Sequence, residues 1–204
     1  MTAFLFDGPD DARITVALAH GAGAPMDSDF MAYFAEALGA RGIRVARFEF
    51  PYMAKRREDG RKRPPDRAPV LLDFYSAVAA ELGTDRLVVA GKSMGGRIAS
   101  MIADETGVAG LVCLGYPFHP PGKPDLLRTE HLEALKTPAL ILQGERDPFG
   151  RRDEVESYAL STSIEVAFLH DGDHDLKPRK ASGRTREDNW ADAVERMALF
   201  VAGR

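Results

Sequence analysis

The segment "LVVAGKSMGG", residues 87–96, places the tightest limit on how this chain can fold. Its first four residues are apolar and include two valines, which predicts a buried strand that runs directly into Gly91. Glycines lie two residues before and two residues after Ser93, and the sequence from Arg97 to Ala103 is typical of a helix. The segment therefore predicts a strand, a sharp turn centred on Ser93 and a helix in immediate succession.

Residues 91–93, Gly-Lys-Ser, also match the end of a phosphate-binding P-loop. That loop requires another glycine five residues earlier, a position occupied here by Arg86. The predicted strand up to Ala90 also leaves no length for a loop, so we reject a nucleotide site. The G-x-S-x-G pattern of residues 91–95 instead favours a nucleophile elbow, in which a serine sits in a strained turn between strand and helix.

Apolar runs and amphipathic segments alternate along the rest of the chain, which predicts a mostly parallel central sheet with helices on both faces. At 204 residues with 45% hydrophobic side chains, the chain is long enough for one sizeable core, so we expect one α/β domain over residues 1–204. Further strands are expected at 14–20, 43–50, 111–114, 138–144 and 163–170, and further helices from about 30 towards Gly42, at 70–82, 129–136, 153–160 and 186–201.

The carboxyl ends of parallel strands meet at one edge of a sheet, and ligands bind there. A serine hydroxyl is a weak nucleophile, so Ser93 needs a nearby base and a third group that orients this base. His174, in the loop "DGDHD", is the best candidate base, and Asp147 follows the strand at 138–144. The chain order Ser93, Asp147, His174 is the order used by α/β-hydrolases.

Other residues compete for these roles. His170 is an alternative base, Glu145 and Asp153 are alternative acids, and Asp147 could instead serve to cap the turn before Pro148. The run "HDGDHD" also raises the possibility of a metal site, but no second cluster of ligand residues at clear spacing accompanies it. The predicted triad needs neither a metal nor an organic cofactor.

Acyl transfer creates a negative oxygen that preorganised donors must stabilise. We expect one donor to be the backbone N–H of Met94 and the other to come from the turn "HGAGA", namely the N–H of Ala22 or, failing that, Gly23. Candidate substrate-binding residues at the same sheet edge are Lys92, Tyr116, Phe118 and His119, although the two aromatic rings could equally belong to the core.

Composition excludes several other functions. A net charge of −4 gives no electrostatic basis for nucleic-acid binding, and no apolar run reaches the roughly 18 residues of a membrane span. The N-terminal segment "MTAFLFDGPDDAR" lacks the features of a signal peptide, and the single cysteine, Cys113, lies in an apolar run. We therefore expect a cytoplasmic protein with a buried thiol, and nothing in the sequence indicates a protein partner.

One segment departs from this acidic balance. Residues 55–67, "KRREDGRKRPPDR", carry seven basic and three acidic side chains, a local charge of +4. This basic segment follows the strand ending near Phe50 and should lie at the same sheet edge as Ser93. It is interpreted either as a solvated insertion or as a surface that attracts anionic acyl substrates.

Five segments together resemble a family of small α/β-hydrolases related to the dienelactone hydrolases, which also includes a hydrolase-like domain of a eukaryotic chromatin-complex subunit. These segments are "AHGAGAPMDSDFM", "GKSMGGRIAS", "GYPFHPPGKPD", "LILQGERDPFG" and "GDHDLKPRK". The resemblance implies an α/β-hydrolase fold and the triad Ser93, Asp147 and His174. The chain has no long cap insertion, which predicts a minimal cap and an open, shallow site. Dienelactone hydrolases use a cysteine nucleophile, whereas residue 93 here is serine, so dienelactone is not carried over as the substrate.

The sequence thus predicts a serine hydrolase that cleaves a small ester, thioester or related acyl compound through an acyl-enzyme. An alternative is an interaction module that keeps this fold without turning over substrate, because a fold alone does not establish function. A peptidase is a weaker alternative, since no additional domain is visible to hold an extended chain.

Overall fold

The computed structural model describes residues 2–204 and contains a seven-stranded sheet. Its strands lie in the order β1-β3-β2-β4-β5-β6-β7, and β1 alone is antiparallel to its neighbour. All parallel strands therefore end at the same edge. The strands are β1 Phe4–Asp7, β2 Thr15–Ala19, β3 Arg44–Phe48, β4 Leu87–Lys92, β5 Gly110–Leu114, β6 Ala139–Gly144 and β7 Ile164–Leu169.

Helices cover both faces of this sheet. They are α1 Asp29–Gly39, α2 Pro51–Asp59, α3 Ala68–Leu82, α4 Met94–Thr106, α5 Arg152–Val155 and α6 Arg186–Ala202, with single 3-10 turns at Glu130–Leu132 and Lys180–Ser182. This arrangement is the α/β architecture that the alternating pattern predicts. Among residues 2–204, no helix combines the length and the apolar character needed to cross a membrane.

The core consists of two apolar layers, one on each face of the sheet. In β2, Ala17 and Ala19 belong to the layer under α3 and α4, whereas Val16 and Leu18 belong to the layer under α1 and α6. This alternation arises because successive side chains of a strand point to opposite faces. Strands β4, β5 and β6 are fully buried between these layers and β2 is buried except at Thr15, as is typical of parallel sheets.

Several element boundaries differ from the sequence predictions. The helix expected at 153–160 ends at Val155, where Ser157 Oγ donates a hydrogen bond to the Glu154 carbonyl at 2.6 Å and competes with helix propagation. The helix expected at 129–136 is only a 3-10 turn. The edge strand β1 was not predicted from the sequence, and its side chains are only partly buried.

The basic segment is not simply a solvated loop, because part of it is helical. Its first third belongs to α2, which begins at Pro51 and buries Tyr52 and Met53. This helix ends at Asp59 and is followed by Gly60 in the left-handed conformation. The following coil folds back on this helix, because the backbone N–H of Tyr52 donates to Asp66 Oδ2 at 2.9 Å. As expected, the segment lies beside the sheet edge that carries Ser93, where Arg56 Nη1 donates to the Gly23 carbonyl in the turn after β2 at 3.4 Å.

Candidate active site

Ser93 occupies a strained turn between β4 and α4. Its backbone has φ 52° and ψ −114°, a conformation that residues with a Cβ rarely adopt. The Ser93 N–H donates to the Leu114 carbonyl at 3.0 Å, and the Ser93 carbonyl accepts the N–H of Arg97 at 3.0 Å. The surrounding structure therefore holds the strain and presents the hydroxyl at the start of α4.

Two glycines make this turn possible. A Cβ on Gly91 would lie 2.3 Å from the carbonyl carbon of Gly95, and a Cβ on Gly95 would lie 2.6 Å from the carbonyl oxygens of Ala19 and His20. All of these neighbours are backbone atoms, which cannot rotate away. The G-x-S-x-G pattern thus reflects the packing of β4, α4 and β2 around the serine.

Replacement of Gly91 by alanine should therefore destabilise the protein strongly. We expect Gly91→Ala to lower the free energy of unfolding by about 3 kcal/mol or more, because the added methyl group overlaps backbone. Gly23→Ala is the matched control, since a Cβ at Gly23 has no neighbour within 4 Å. Guanidinium denaturation measures both variants, and equal midpoints would contradict this account of the turn.

The structure brings Ser93, His174 and Asp147 into one hydrogen-bonded relay. His174 Nε2 lies 2.8 Å from Ser93 Oγ, and His174 Nδ1 lies 2.8 Å from Asp147 Oδ2. A carboxylate can only accept, so Nδ1 carries the proton and Nε2 offers its lone pair to the serine hydroxyl. This is the tautomer in which an imidazole can remove the serine proton.

The Asp147 carboxylate is fully buried and receives three donors. Oδ2 accepts from His174 and from Gln143 Nε2 at 3.0 Å, and Oδ1 accepts from the Phe149 N–H at 2.9 Å. Hydrogen bonds of this kind compensate for the loss of water around a buried charge. Asp147 is thus fixed in orientation and fixes His174 in turn. The alternative acids Glu145 and Asp153 make no hydrogen bond to His174 among residues 2–204.

Side chains from α6 hold the loop that carries His174. Asn189 Nδ2 donates to the carbonyls of His170 and Leu176 at 2.9 and 2.8 Å, and Trp190 Nε1 donates to the Asp175 carbonyl at 2.8 Å. The Phe149 ring also packs against the His174 imidazole, with 4.2 Å between ring centroids. The imidazole therefore has little freedom to rotate away from Ser93.

An ion-pair network holds the beginning of this loop. Asp171 has a positive φ of 49° and pairs with Arg146 and Arg179. Hydrogen bonds from Arg179 hold the pKa of the Asp171 carboxyl well below its usual range. His170, the alternative base, points away from the relay, is largely exposed and lies 3.5 Å from Glu145. The structure places His174, and not His170, beside Ser93.

Lys92, expected to bind substrate, lines the cleft beside Ser93 but is already engaged. Its ammonium donates to the His174 carbonyl and pairs with Asp175 Oδ1 at 3.2 Å. Burial lowers the pKa of Lys92, and the Asp175 charge opposes this effect. Lys92 therefore connects the serine turn to the histidine loop, and its charge is largely satisfied within the protein.

The glycine-rich turn after β2 forms the opposite wall of the cleft. Ala22 and Gly23 line a cavity of about 270 Å³ together with Ser93 and His174. His20 Nδ1 contacts the Gly21 carbonyl at 2.6 Å, while His20 Nε2 accepts the N–H of Phe50 at 3.1 Å. Burial lowers the pKa of His20, which favours the neutral ring that this pairing requires. His20 thus connects this turn to the backbone that follows β3.

Tyr52 provides a second anchor for this turn. Its hydroxyl donates to the Ala22 carbonyl at 3.0 Å, and the side chain is almost fully buried. The N–H groups of Ala22 and Gly23 donate to no acceptor among residues 2–204, so both remain available as donors. Met94 is the first residue of α4, so its N–H also has no partner inside the helix.

Three of the expected substrate-binding residues do not line this cleft. Tyr116 and Phe118 are fully buried in the core layer under α3 and α4, and the Tyr116 hydroxyl donates to the Arg128 carbonyl at 2.9 Å. His119 is buried as well, with Nε2 3.5 Å from Glu154. Gly115, at φ 65°, turns the chain back into the protein after β5. Tyr116 and Phe118 therefore pack in the core, and His119 is buried outside the cleft.

A second serine and histidine also lie close together. Ser100 Oγ is 2.8 Å from His131 Nε2, and the His131 side chain is half-buried. Ser100 donates its own proton to the Arg97 carbonyl at 2.8 Å, which leaves Nε2 of His131 as the donor in this pair. A nitrogen that already carries the proton cannot act as a base, so this pair is structural.

Two further alternatives concern metal and thiol chemistry. No group of three or more His, Cys, Asp or Glu side chains within residues 2–204 is arranged to hold a metal ion, so the run "HDGDHD" forms no such cluster. The Cys113 thiol is fully buried in β5 and donates weakly to the Gly96 carbonyl at 3.4 Å. Burial raises the pKa of Cys113, which disfavours the reactive thiolate.

The sequence interpretation missed residues that support the relay. Gln143 is the one polar side chain in the buried strand β6 and lies four residues before Asp147, a signal that could have identified it. His20, Tyr52 and Phe149 follow strand ends, but nothing in their spacing distinguishes supporting residues from packing residues.

The chain belongs to the alpha/beta hydrolase domain family, whose model matches residues 12–202. This match covers the serine turn, the Asp147 loop and the His174 loop.

Solved structures share the fold. A dienelactone hydrolase from Anabaena variabilis has a TM-score of 0.74 and 20% identity, covering 97% of this chain and 89% of its own. An alpha-beta serine hydrolase homologue from Coxiella burnetii has a TM-score of 0.72 and 19% identity, covering 98% and 90%. A lidless α/β serine hydrolase from Xanthomonas campestris has a TM-score of 0.66 and 19% identity, covering 96% and 92%.

Proposed function

We propose that the protein is a serine hydrolase that cleaves a small ester, thioester or related acyl compound, with Ser93 as nucleophile, His174 as base and Asp147 as orienting acid. The observation that carries this proposal is the relay of two 2.8 Å contacts that ends at a serine in a strained turn. Family membership and the serine hydrolase neighbours support a hydrolase. The proposed reaction uses no cofactor.

The reaction proceeds in two halves. Ser93 Oγ attacks the carbonyl carbon while its proton passes to His174 Nε2, and the leaving group departs with that proton as its bond to carbon breaks. A water molecule then attacks the acyl-serine and gives a proton to His174, which returns it to Ser93 Oγ as the acid is released. Asp147 remains ionised and stabilises the imidazolium formed in each half.

The carbonyl oxygen becomes negative in both halves. We assign its stabilisation to the N–H of Met94 and to an N–H of the turn after β2, from Ala22 or Gly23. The N-terminus of α4 also carries partial positive charge, which favours an anion at this position. Loss of one such donor typically costs about 100- to 1,000-fold in rate.

Tyr52 serves in this scheme as a positioning residue for the turn. Tyr52→Phe keeps the ring and removes only the hydroxyl that holds the Ala22 carbonyl, so we expect kcat to fall by roughly two- to tenfold. The melting temperature should change little, because water can satisfy the exposed Ala22 carbonyl, and KM should change little, because Tyr52 does not line the cleft. A rise in KM at unchanged kcat would contradict the positioning role.

A fluorophosphonate probe and a panel of acyl esters of graded length test the proposed function directly. Wild-type protein should be labelled and should hydrolyse at least one ester, and Ser93→Ala should do neither. The principal alternative is an interaction module without turnover. Absence of labelling in folded wild-type protein would favour that alternative, since the probe needs only an activated serine and an accessible cleft.

A further inference from the structure

A second cavity lies directly behind the turn that lines the catalytic cleft. This basic groove, of about 420 Å³, is lined by Ala22, Gly23, Arg56, Lys62, Arg63 and Pro64. Ala22 and Gly23 belong to both cavities, so a single turn of backbone separates the groove from the cleft of Ser93. The groove and the cleft are therefore adjacent, one on either side of this turn.

The charges of the groove are only partly neutralised. Arg57, just outside it, pairs with Glu49 and Asp27 at 2.7 and 2.8 Å. Within the groove, Arg63 pairs with Asp59 at 2.6 Å. Neither Arg56 nor Lys62 forms an ion pair with any carboxylate in the described part of the chain.

The guanidinium groups also retain hydrogen-bonding capacity. The hydrogen bond of Arg56 is a long one, 3.4 Å from Nη1 to the Gly23 carbonyl. Nη1 of Arg63 is shielded from solvent and has no hydrogen-bond partner among residues 2–204. A buried donor without a partner is costly, and this cost is removed if the Arg63 side chain turns towards an anionic ligand in the groove. Lys92 does not share this property, because its ammonium already pairs with Asp175.

We propose that the basic groove binds an anionic group, a carboxylate or a phosphate, on the same molecule whose acyl carbon is attacked by Ser93. This inference rests on the proposed function and specifies its substrate class. Arg56 offers a planar donor pair that suits carboxylate and phosphate oxygens, and Lys62 and Arg63 add positive charge. Arg61 does not line the groove although it belongs to the same basic segment.

The test compares 4-nitrophenyl esters whose acyl chains end in a carboxylate or in a primary amide of the same shape. A second pair ends in a phosphate or in its neutral methylated form and distinguishes the two anions. The wild-type ratio of kcat/KM, anionic over neutral, should exceed one and peak at one chain length. Added salt should lower this ratio, because charges beyond about 8 Å are screened at physiological ionic strength.

Variants locate the effect. The double variant Arg56→Gln, Lys62→Gln should lower the ratio by roughly three- to tenfold, whereas Arg56→Lys should largely retain it. Arg67→Gln is the matched control, since Arg67 is an exposed cation of the same segment outside the groove. If the Arg56 change disturbs the turn in general, kcat/KM falls equally for the anionic and the neutral ester, and the ratio of the two does not change.

The outcomes separate this inference from the proposed function. If folded wild-type protein is not labelled by the fluorophosphonate probe and hydrolyses no ester of either pair, the proposed function fails. If it hydrolyses both members of each pair equally, or if the double variant and Arg67→Gln change the ratio alike, the proposed function stands and the anionic subsite is overturned.

Discussion

Ser93→Ala and His174→Ala should each reduce kcat by about a millionfold, and the double variant should be scarcely worse than either alone. The physical reason is that the two side chains act on one proton, since His174 Nε2 lies 2.8 Å from Ser93 Oγ. Without His174, Ser93 has no base to take its proton, and without Ser93, His174 has no nucleophile to activate. Steady-state hydrolysis of the best ester in the panel, together with probe labelling, measures the effect.

His170→Ala is the matched control for this experiment. His170 belongs to the same loop, but its side chain is exposed and lies beside Glu145, away from the serine. We expect nearly wild-type turnover from His170→Ala and almost none from His174→Ala. The reverse pattern would show that the relay seen in the structure is not the one that transfers the proton.

Asp147→Asn should lower kcat by about ten-thousandfold and leave the fold intact. The buried carboxylate accepts three hydrogen bonds, from His174, Gln143 and the Phe149 N–H, and an amide offers only one accepting oxygen. If the amide oxygen faces the fixed backbone N–H of Phe149, the amide nitrogen faces His174. The imidazole must then place its proton on Nε2, where it can no longer accept from Ser93.

This prediction is checked by the kinetics of Asp147→Asn together with circular dichroism and the melting temperature. Glu145→Gln provides the control, because Glu145 was the alternative acid but pairs with Arg152 and the Asp171 N–H instead. Full activity in Asp147→Asn would transfer the orienting role to another carboxylate. A large loss of activity in Glu145→Gln alone would identify Glu145 as that carboxylate.

Much of this arrangement could be predicted from the sequence because strand ends determine where side chains meet. Ser93 follows β4, Asp147 follows β6, and His174 follows β7, so parallel strands bring the three to one edge. The tight turn around Ser93 could also be predicted, because Gly91 and Gly95 occupy positions where a Cβ would overlap backbone atoms. For the triad residues and the two glycines, the position along the chain was therefore enough to predict the role.

The remaining features depend on the direction in which the chain and its side chains turn after each strand, which the sequence pattern does not reveal. Tyr116 and Phe118 also follow a strand, yet the left-handed turn at Gly115 sends their rings into the core instead of the cleft. The basic composition of residues 55–67 obscured helix α2, whose buried side chains are confined to Tyr52 and Met53. The single domain over residues 1–204, the cytoplasmic location and the relation to a chromatin-complex subunit stay predictions.

The attachment of the His174 loop to α6 has a consequence for the order in which the site forms during synthesis. Asn189 and Trp190 hold the carbonyls of this loop, so the relay needs residues made about 100 positions after Ser93. At ribosomal rates of roughly 5 to 20 residues per second, the serine exists for roughly 5 to 20 seconds before its base can be held in place. A nascent chain therefore passes through this interval with a nucleophile that is not yet activated.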